Sequence, residues 1–211
     1  MEIIYFDELD STQKYLIKAI KETKINKEVA IVAKKQTSGV GSRENSWISK
    51  EGDLTFSFAI KKESLPKDLK ITSASIYFAF LMKEILHKYD KNCWLKWPND
   101  IYIKNKKAGG IVTQLLKNFL VVGIGINIVK REDKFINFEN INSVEKVLNS
   151  YFMLLKKAPK WQEVFIKYRV EFERQKSFTT HIKGKKTTLQ SAILCDDGAL
   201  LVNNERIYSL R

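Results

Sequence analysis

The chain alternates between apolar runs of period two and apolar positions at helical spacing. Ile3 to Phe6 predicts a short strand. Asp10 or Ser11 then stands where a helix would be capped, with Leu16, Ile17 and Ile20 on one face. Val29 to Ala33 is a β-branched run, the pattern of a buried strand. Leu54, Phe56, Phe58 and Ile60 alternate with Thr55, Ser57 and Ala59, a strand with two distinct faces. A long helix is predicted over Thr72 to Tyr89, with Tyr77, Phe78, Leu81, Ile85 and Leu86 along one side.

A second run of strands follows. Cys93 to Trp97 ends at Pro98, Ile101 to Ile103 comes next, and Asn105-Lys106-Lys107 reads as a polar turn. Gly110 to Leu116 and Phe119 to Ile128 flank Lys117-Asn118 as a hairpin. Ser143 is placed to cap a helix through Leu155, and Pro159 to start another that runs to about Arg174. From Thr179 to Leu210 short β-like runs are broken by Lys183-Gly184-Lys185, Asp196-Asp197-Gly198 and Asn203-Asn204, a small β-meander set apart as a C-terminal module. The expected division is 1–175 and 176–211. Strands grouped apart from helices predict an α+β fold rather than regular βαβ alternation.

Composition changes this picture little. The chain has 211 residues, 44% hydrophobic and 29% charged, a balance that supports a folded core. The formal net charge of +13 would attract polyanions. Most of it is Lys scattered along the whole chain, with no block that joins basic and aromatic residues, so specific nucleic-acid binding is not expected. Cys93 and Cys195 have no Cys-x-x-Cys partner, which gives free thiols and a cytoplasmic setting as the expectation. The N-terminus has no signal-peptide pattern, and no apolar stretch reaches membrane-spanning length.

Several segments carry candidate chemistry. In strand geometry Trp94 and Lys96 share one face, while Cys93, Leu95 and Trp97 share the other. A Lys in such an apolar strand needs a charge partner or solvent. Pro98 holds Trp97 extended and ends the ladder, presenting Asn99 and Asp100. Lys beside Asn and Asp suits an anionic ligand, with Asp100 a candidate ligand for Mg²⁺. Spacing alone favours the plainer reading, an edge-strand Lys followed by an Asn-Asp turn. The stretch from Gln36 to Trp47 places Gly39 and Gly41 where backbone N–H groups can approach phosphate, with Arg43 to pair and Trp47 to stack. It is neither a Walker loop nor the dinucleotide fingerprint, and taken alone the stretch reads first as a plain flexible loop. Ser11-Thr12-Gln13 is either a helix cap or a set of hydrogen-bonding groups for a small polar ring. Gly109-Gly110 and the run Gly123 to Asn127 put small residues in strands, a mark of strand packing or of close approach by a ligand or another backbone. No Ser/His/Asp set stands out: His87 and His181 read as surface residues and Cys93 as core.

In order and spacing these motifs resemble those of biotin–protein ligases across most of the chain. The family's Ser-Thr-Asn-like triplet is Ser11-Thr12-Gln13, its Gln-x-x-Gly-Arg-Gly-Arg loop is Gln36 to Ser42, and its Lys-Trp-Pro-Asn-Asp segment is matched in full at 96–100. Its Lys-x-x-Gly-Ile segment is Lys107 to Ile111, and its Gly-x-Gly-Ile-Asn strand is 123–127. The resemblance implies a mixed-sheet catalytic domain of the class II aminoacyl-tRNA synthetase type with a small SH3-like C-terminal β domain. It implies activation of biotin by ATP to biotinyl-AMP, with Mg²⁺, and transfer to a lysine of a biotin carboxyl carrier protein. Lys96 would be the catalytic cation, contacting the carboxylate or acyl phosphate. Biotin would lie against Ser11, Thr12, Gln13, Gln36, Gly39, Val40, Gly41, Ser42, Lys96 and Gly110. The adenylate would meet Arg43, Trp47, Asn99, Lys107 and Asn127.

Two departures carry consequences. The resemblance expects Arg at 40 and 42, where this chain has Val40 and Ser42, and leakage of the activated intermediate onto bystander lysines follows as an expectation. The triplet ends in Gln13, a longer amide than Asn. The catalytic pattern begins at residue 3, which implies no DNA-binding domain and no repressor role, and leaves monomer or homodimer open. The rival readings are a lipoate or octanoate ligase of the same fold and a basic nucleic-acid-binding protein.

Overall fold

The computed structural model describes residues 1–42, 45–131, 135–182 and 185–208. Its centre is a seven-stranded mixed sheet built from β1 (Glu2–Leu9), β2 (Val29–Gln36), β5 (Leu54–Lys61), β6 (Cys93–Lys96), β7 (Asp100–Ile103), β8 (Lys106–Leu116) and β9 (Phe119–Ile126). The order across the sheet is β1-β2-β5-β9-β8-β7-β6. Only the β1–β2 pair is parallel; the other neighbours run antiparallel. A two-stranded ribbon, β3 (Gly39–Val40) with β4 (Ser46–Trp47), forms where the sequence predicts a loop.

Both faces of the sheet are covered. Helix α1 (Thr12–Lys21) lies on one face, packing Leu16 and Ile20 against Ile31, Ala59 and Val121. Helices α2 (Ala74–Leu86), α3 (Val144–Lys156) and α4 (Trp161–Phe172) cover the other, over a larger core that includes Phe56, Phe58, Phe78 and Tyr151. Strand β5 is therefore buried on both sides up to Ile60. Its alternation separates two packed faces, and Thr55 and Ser57 point toward the α1 side rather than to water.

The helix limits differ from the periodicity for local reasons. Before α2 the chain makes a tight turn over Ile71–Ser73, which takes Thr72 out of the helix. Helix α4 starts at Trp161 because the distant Asp68 carboxylate caps it, accepting from the backbone N–H groups of Trp161 and Gln162, both at 3.1 Å.

The free edge of the sheet is closed by side chains. On β6 the backbone N–H of Leu95 donates to Glu171 at 2.5 Å and that of Trp97 to Gln175 at 2.7 Å. The Gln175 amide donates back to the Leu95 carbonyl at 2.5 Å. Glu171 and Gln175 lie one helical turn apart and take the place of an eighth strand. The peptide bond between Trp97 and Pro98, directly after this edge, is cis rather than a plain extended link.

Beyond α4 the chain forms two small sheets, not one meander. One pairs β10 (Thr179–Ile182) with β11 (Lys185–Thr188); the other joins β12 (Ile193–Leu194), β13 (Leu200–Val202) and β14 (Glu205–Ile207). Leu189, Ala192, Leu200 and Val202 belong to the same core as α2 and α4. The turn at 196–198 offers three carbonyls to that core: Asp196 accepts from Trp161 Nε1 at 2.9 Å, Asp197 from Ser73 Oγ at 2.7 Å and Gly198 from Trp97 Nε1 at 2.9 Å.

Candidate active site

The site lies on the α1 face of the sheet, and one row of register partners forms its floor. Thr55, Gly125, Gly110, Asp100 and Lys96 are successive neighbours across β5, β9, β8, β7 and β6. Ser57, Gly123 and Val112 make the parallel row beside it.

The inner end is neutral and hydrogen-bonded. Ser11 caps α1, accepting from the Lys14 N–H at 3.3 Å, and is fully buried. The Gln36 side-chain carbonyl accepts from Thr12 N at 2.8 Å and Thr12 Oγ1 at 3.1 Å. Thr12 Oγ1 also lies 2.8 Å from Ser57 Oγ. Short polar side chains on β2, β5 and α1 thus brace one another inside an apolar shell, where an unpaired partner would be costly.

Two side chains lie over the strand glycines. A Cβ on Gly123 would stand 2.6 Å from Gln13 Oε1, and one on Gly125 would overlap the Trp47 indole. The small residues of β9 therefore admit Gln13 and Trp47 from this same chain, not another backbone. Gln13 Oε1, Trp47 Nε1 and Asn99 Oδ1 are buried with no hydrogen-bond partner among the described residues. Such orphaned atoms at one cavity suit a ligand with both donors and acceptors. The free space is about 40 Å³. Small-molecule sites span roughly 300–1,000 Å³, so a ligand of that size enters only if Gln13 or Trp47 moves. Trp47 is held by the β3–β4 ribbon, where Gly39 pairs with Trp47 and Val40 with Ser46. Behind it the Asp53 carboxylate pairs with Arg131 and accepts from the backbone N–H groups of Lys50, Ile128 and Val129, tying the following loop to the end of β9.

The outer end is charged, and a bulge sets which lysine serves it. Plain alternation along β8 would send Lys107 and Gly110 to opposite faces. The register slips between Ile101 and Tyr102, with Tyr102 opposite Lys107 and Ile101 opposite Gly109. The extra residue, Ala108, turns into the core and is fully buried. Lys107 is thereby turned onto the site face, where a Cβ on Gly110 would be 3.5 Å from its Nζ. Its ammonium pairs with Asp100 Oδ1 at 2.6 Å. Lys107 is the one cation lining the cavity among the described residues.

Lys96 stands at the far end of the floor row and does not line the cavity. Its ammonium donates to the Tyr102 hydroxyl at 3.3 Å and lies 4.9 Å from that ring's centre. Burial pushes this ammonium below the usual lysine range; Asp100 opposes the shift, and Lys107 and Lys186 add to it. Tyr102 is pushed up to about 12 by burial and then by Asp100, so its hydroxyl keeps its proton.

The cavity brings together Ser11, Thr12, Gln13, Gln36, Val40, Gly41, Ser42, Trp47, Asn99, Asp100, Lys107 and Gly110 of the residues singled out by sequence. Gly39 sits behind it in the ribbon. Asn127 does not line the cavity; its backbone N–H donates to Ala108 at 2.8 Å and its side-chain amide to the Ile136 carbonyl at 3.0 Å. Arg43 lies outside the described residues. Ser57 was not singled out; a hydroxyl amid the aromatics of β5 was its only sequence signal. His87 is half-buried against the Cys93 carbonyl, and Cys93 is buried as expected. Among the described residues no three His, Cys, Asp or Glu side chains group to hold a metal. Asp100, already paired with Lys107, does not make a metal site by itself.

Comparison with known proteins agrees with this architecture. Biotin acetyl coenzyme A carboxylase synthetase from Helicobacter pylori, solved with bound biotinylated ATP, is 36% identical with a TM-score of 0.93, over 98% of this chain and 99% of that one. A biotin protein ligase from Aquifex aeolicus, solved with biotin and ATP, shares the fold at a TM-score of 0.79 and 24% identity, over 100% of this chain and 96% of that one. The bifunctional ligase/repressor BirA of Escherichia coli is 32% identical over 138 residues, 61% of this chain and 42% of that protein, so the match spans less than half of that relative's length. Residues 5–129 match the biotin/lipoate A/B protein ligase family, and the chain belongs to that family.

Proposed function

We propose that this chain is an ATP-dependent biotin–protein ligase acting on a biotin carboxyl carrier protein in the cytoplasm. The observation that carries the reading is one cavity with a neutral, hydrogen-bonding inner end and, at its outer end, Lys107 as the one lysine among the described residues, paired with Asp100. Biotin has the same polarity: an uncharged ureido ring at one end and a carboxylate at the other. Once Gln13 or Trp47 shifts, its ring would lie among Ser11, Thr12, Gln13, Gln36 and Ser57, with the orphaned Gln13 Oε1 as acceptor for a ureido N–H. The ribbon residues Gly39 to Ser42 wall this end.

In the first step a biotin carboxylate oxygen attacks the α-phosphorus of ATP. The bond from that phosphorus to the bridging oxygen breaks, and pyrophosphate leaves with its electron pair. We assign to Lys107, rather than to Lys96, the neutralising of carboxylate and α-phosphate; the bulge in β8, which turns Lys107 onto the site face, supports this reading. Asn99 and Trp47 offer orphaned polar atoms to the adenine. Mg²⁺ would enter with the nucleotide as MgATP, held by the phosphate oxygens. In the second step a carrier lysine amine attacks the acyl carbon; AMP leaves and the amine sheds a proton, giving an amide. Closure of the Trp47 ribbon over the mixed anhydride would exclude the water that hydrolyses it.

The experiment is a thermal shift with biotin plus MgATP, lipoate plus MgATP, and an oligonucleotide. Stabilisation scales with ligand concentration over affinity, so the reading expects a clear rise for the first pair alone. A larger rise with lipoate would move the assignment to the other arm of the family, and a rise with oligonucleotide alone would reject it.

A further inference from the structure

The turn that carries Asn99 is held from outside the cavity. Lys96 pairs with Asp100 across β6 and β7, so Trp97, Pro98 and Asn99 form the turn between the two strands. On one side Asn99 is fixed to β8: its carbonyl accepts from the Ile111 N–H at 2.9 Å, and its Nδ2 donates to the Ile111 carbonyl at 2.5 Å. The orphaned Oδ1 is what remains for a ligand. On the other side the Trp97 N–H donates to Gln175 Oε1, and Gln175 Nε2 donates back to the Leu95 carbonyl. A primary amide carries its donor and acceptor in one plane, as a peptide group does, so this one side chain stands in for one peptide of a neighbouring strand. Gln175 is fully buried and does not line the cavity. Its own carbonyl accepts from the Phe178 N–H at 2.8 Å, and the Phe178 ring lies 4.8 Å from that of Trp94 on β6. The amide is therefore fixed at its backbone as well as at its tip.

Resting on the ligase reading above, we infer that Gln175 is a positioning residue for the nucleotide step: through Trp97 it sets the 97–99 turn so that Asn99 Oδ1 faces the cavity. Glu171, one turn earlier, cannot take over this task. It accepts from the Leu95 N–H, but a carboxylate has no proton to return to the Leu95 carbonyl. Loss of the Gln175 amide leaves a buried donor and a buried acceptor unpaired at the entry to the turn, and the turn can then shift. A misplacement of about 1 Å in a group that orients a substrate costs rate out of proportion to its cost in stability. The inner end of the cavity is built on α1, β2 and β5 instead, so recognition there does not depend on Gln175.

The test is a double-mutant cycle in biotin-dependent ATP–pyrophosphate exchange, run well below Tm, with wild type, Gln175→Met, Asn99→Ala and the two together. Gln175→Met keeps the length of the side chain without its hydrogen bonds. It should lower kcat/KM for ATP by about ten- to a hundredfold and leave the KM for biotin within about threefold of wild type. In the Asn99→Ala background the same change should cost less than about threefold, because the group it aims is gone. Leu155→Ala, a truncation in the core under α3, should lower Tm as well and leave the exchange kinetics at wild type. Wild-type kinetics in Gln175→Met, or losses that multiply across the cycle, would overturn the inference. Gln175→Asn, whose shorter amide cannot hold both groups, supplies the cycle where Gln175→Met does not fold. Amide hydrogen exchange at Ile111 reads the same turn without catalysis: Gln175→Met should speed it about tenfold or more, with the amides of β9 as reference. A wild-type chain without biotin-dependent exchange would reject the ligase reading, and faster Ile111 exchange in its Gln175→Met variant would still support the positioning of Asn99. Unchanged Ile111 exchange would reject that positioning in either case.

Discussion

The two ends of the floor row handle polarity in opposite ways. At the inner end Ser11, Thr12, Gln36 and Ser57 are buried and neutral, and Thr12 is tied to Gln36 and Ser57. At the outer end Asp100 and Lys107 are partly exposed and charged, and Lys96 leans on a phenol. The contrast divides recognition from chemistry. A neutral network rejects ligands that leave its groups unpaired, while charges near water meet groups whose charge changes during reaction.

The sharpest way to break the division is to remove the space between the ends. Gly125→Val puts a branched side chain where the Trp47 ring and any ligand must lie. Exchange activity should fall by about a hundredfold or more, as for loss of a positioned constellation. Removing the inner acceptor is gentler. Gln36→Ala strands the Thr12 N–H, and an unsatisfied buried group costs about 1–3 kcal/mol. That cost falls on the fold, so Tm should drop by about 2–4 °C for each kcal/mol, with the KM for ATP unchanged.

The ribbon that walls the inner end offers a further contrast. A Val40→Arg/Ser42→Arg variant should hold the intermediate longer. Labelling of an unrelated protein with biotin and ATP, read by mass spectrometry, should be roughly three- to tenfold above this variant in the natural chain, the value of one or two charge-assisted contacts. Equal labelling would sink the leakage expectation.

The smallest effect concerns stability at the outer end. The Lys96 ammonium is depressed by burial first, so the folded chain binds that proton less well than the unfolded chain. Its cost is full below the folded pKa and is relieved as pH rises from there toward the ordinary lysine value. Lys96→Met should therefore raise Tm by about 1–3 °C at neutral pH and flatten the alkaline rise in stability. A fall in Tm would contradict this account of the Lys96 environment.

Alternation and capping made much of the scaffold legible. The pattern of Leu54 to Ile60 located β5, Ser143 located the start of α3, and the choice between Asp10 and Ser11 located that of α1, where Ser11 is the cap. It did not show that α1 covers the second face of β5, because period two marks two faces but not what packs on them. The site was legible as a set of residues and less so in its roles. Lys96 and Lys107 both stand in strands beside Asp100, and alternation alone turns Lys107 away from Gly110. The register slip between Ile101 and Tyr102 reverses that, and a slip is a property of pairing between strands. Asn127 shows the same limit, since its side chain meets Ile136 in a segment with no periodic pattern.

The central claim is that Lys107, aimed by this bulge, serves the adenylation of biotin. Its most direct test is mass spectrometry of a biotin carboxyl carrier domain after incubation with biotin, MgATP and either wild type or Lys107→Ala. The account predicts one biotinyl group on one carrier lysine with wild type, and a rate lower by about a hundredfold or more with Lys107→Ala. An unmodified carrier with wild type, or equal modification by Lys107→Ala, would contradict it.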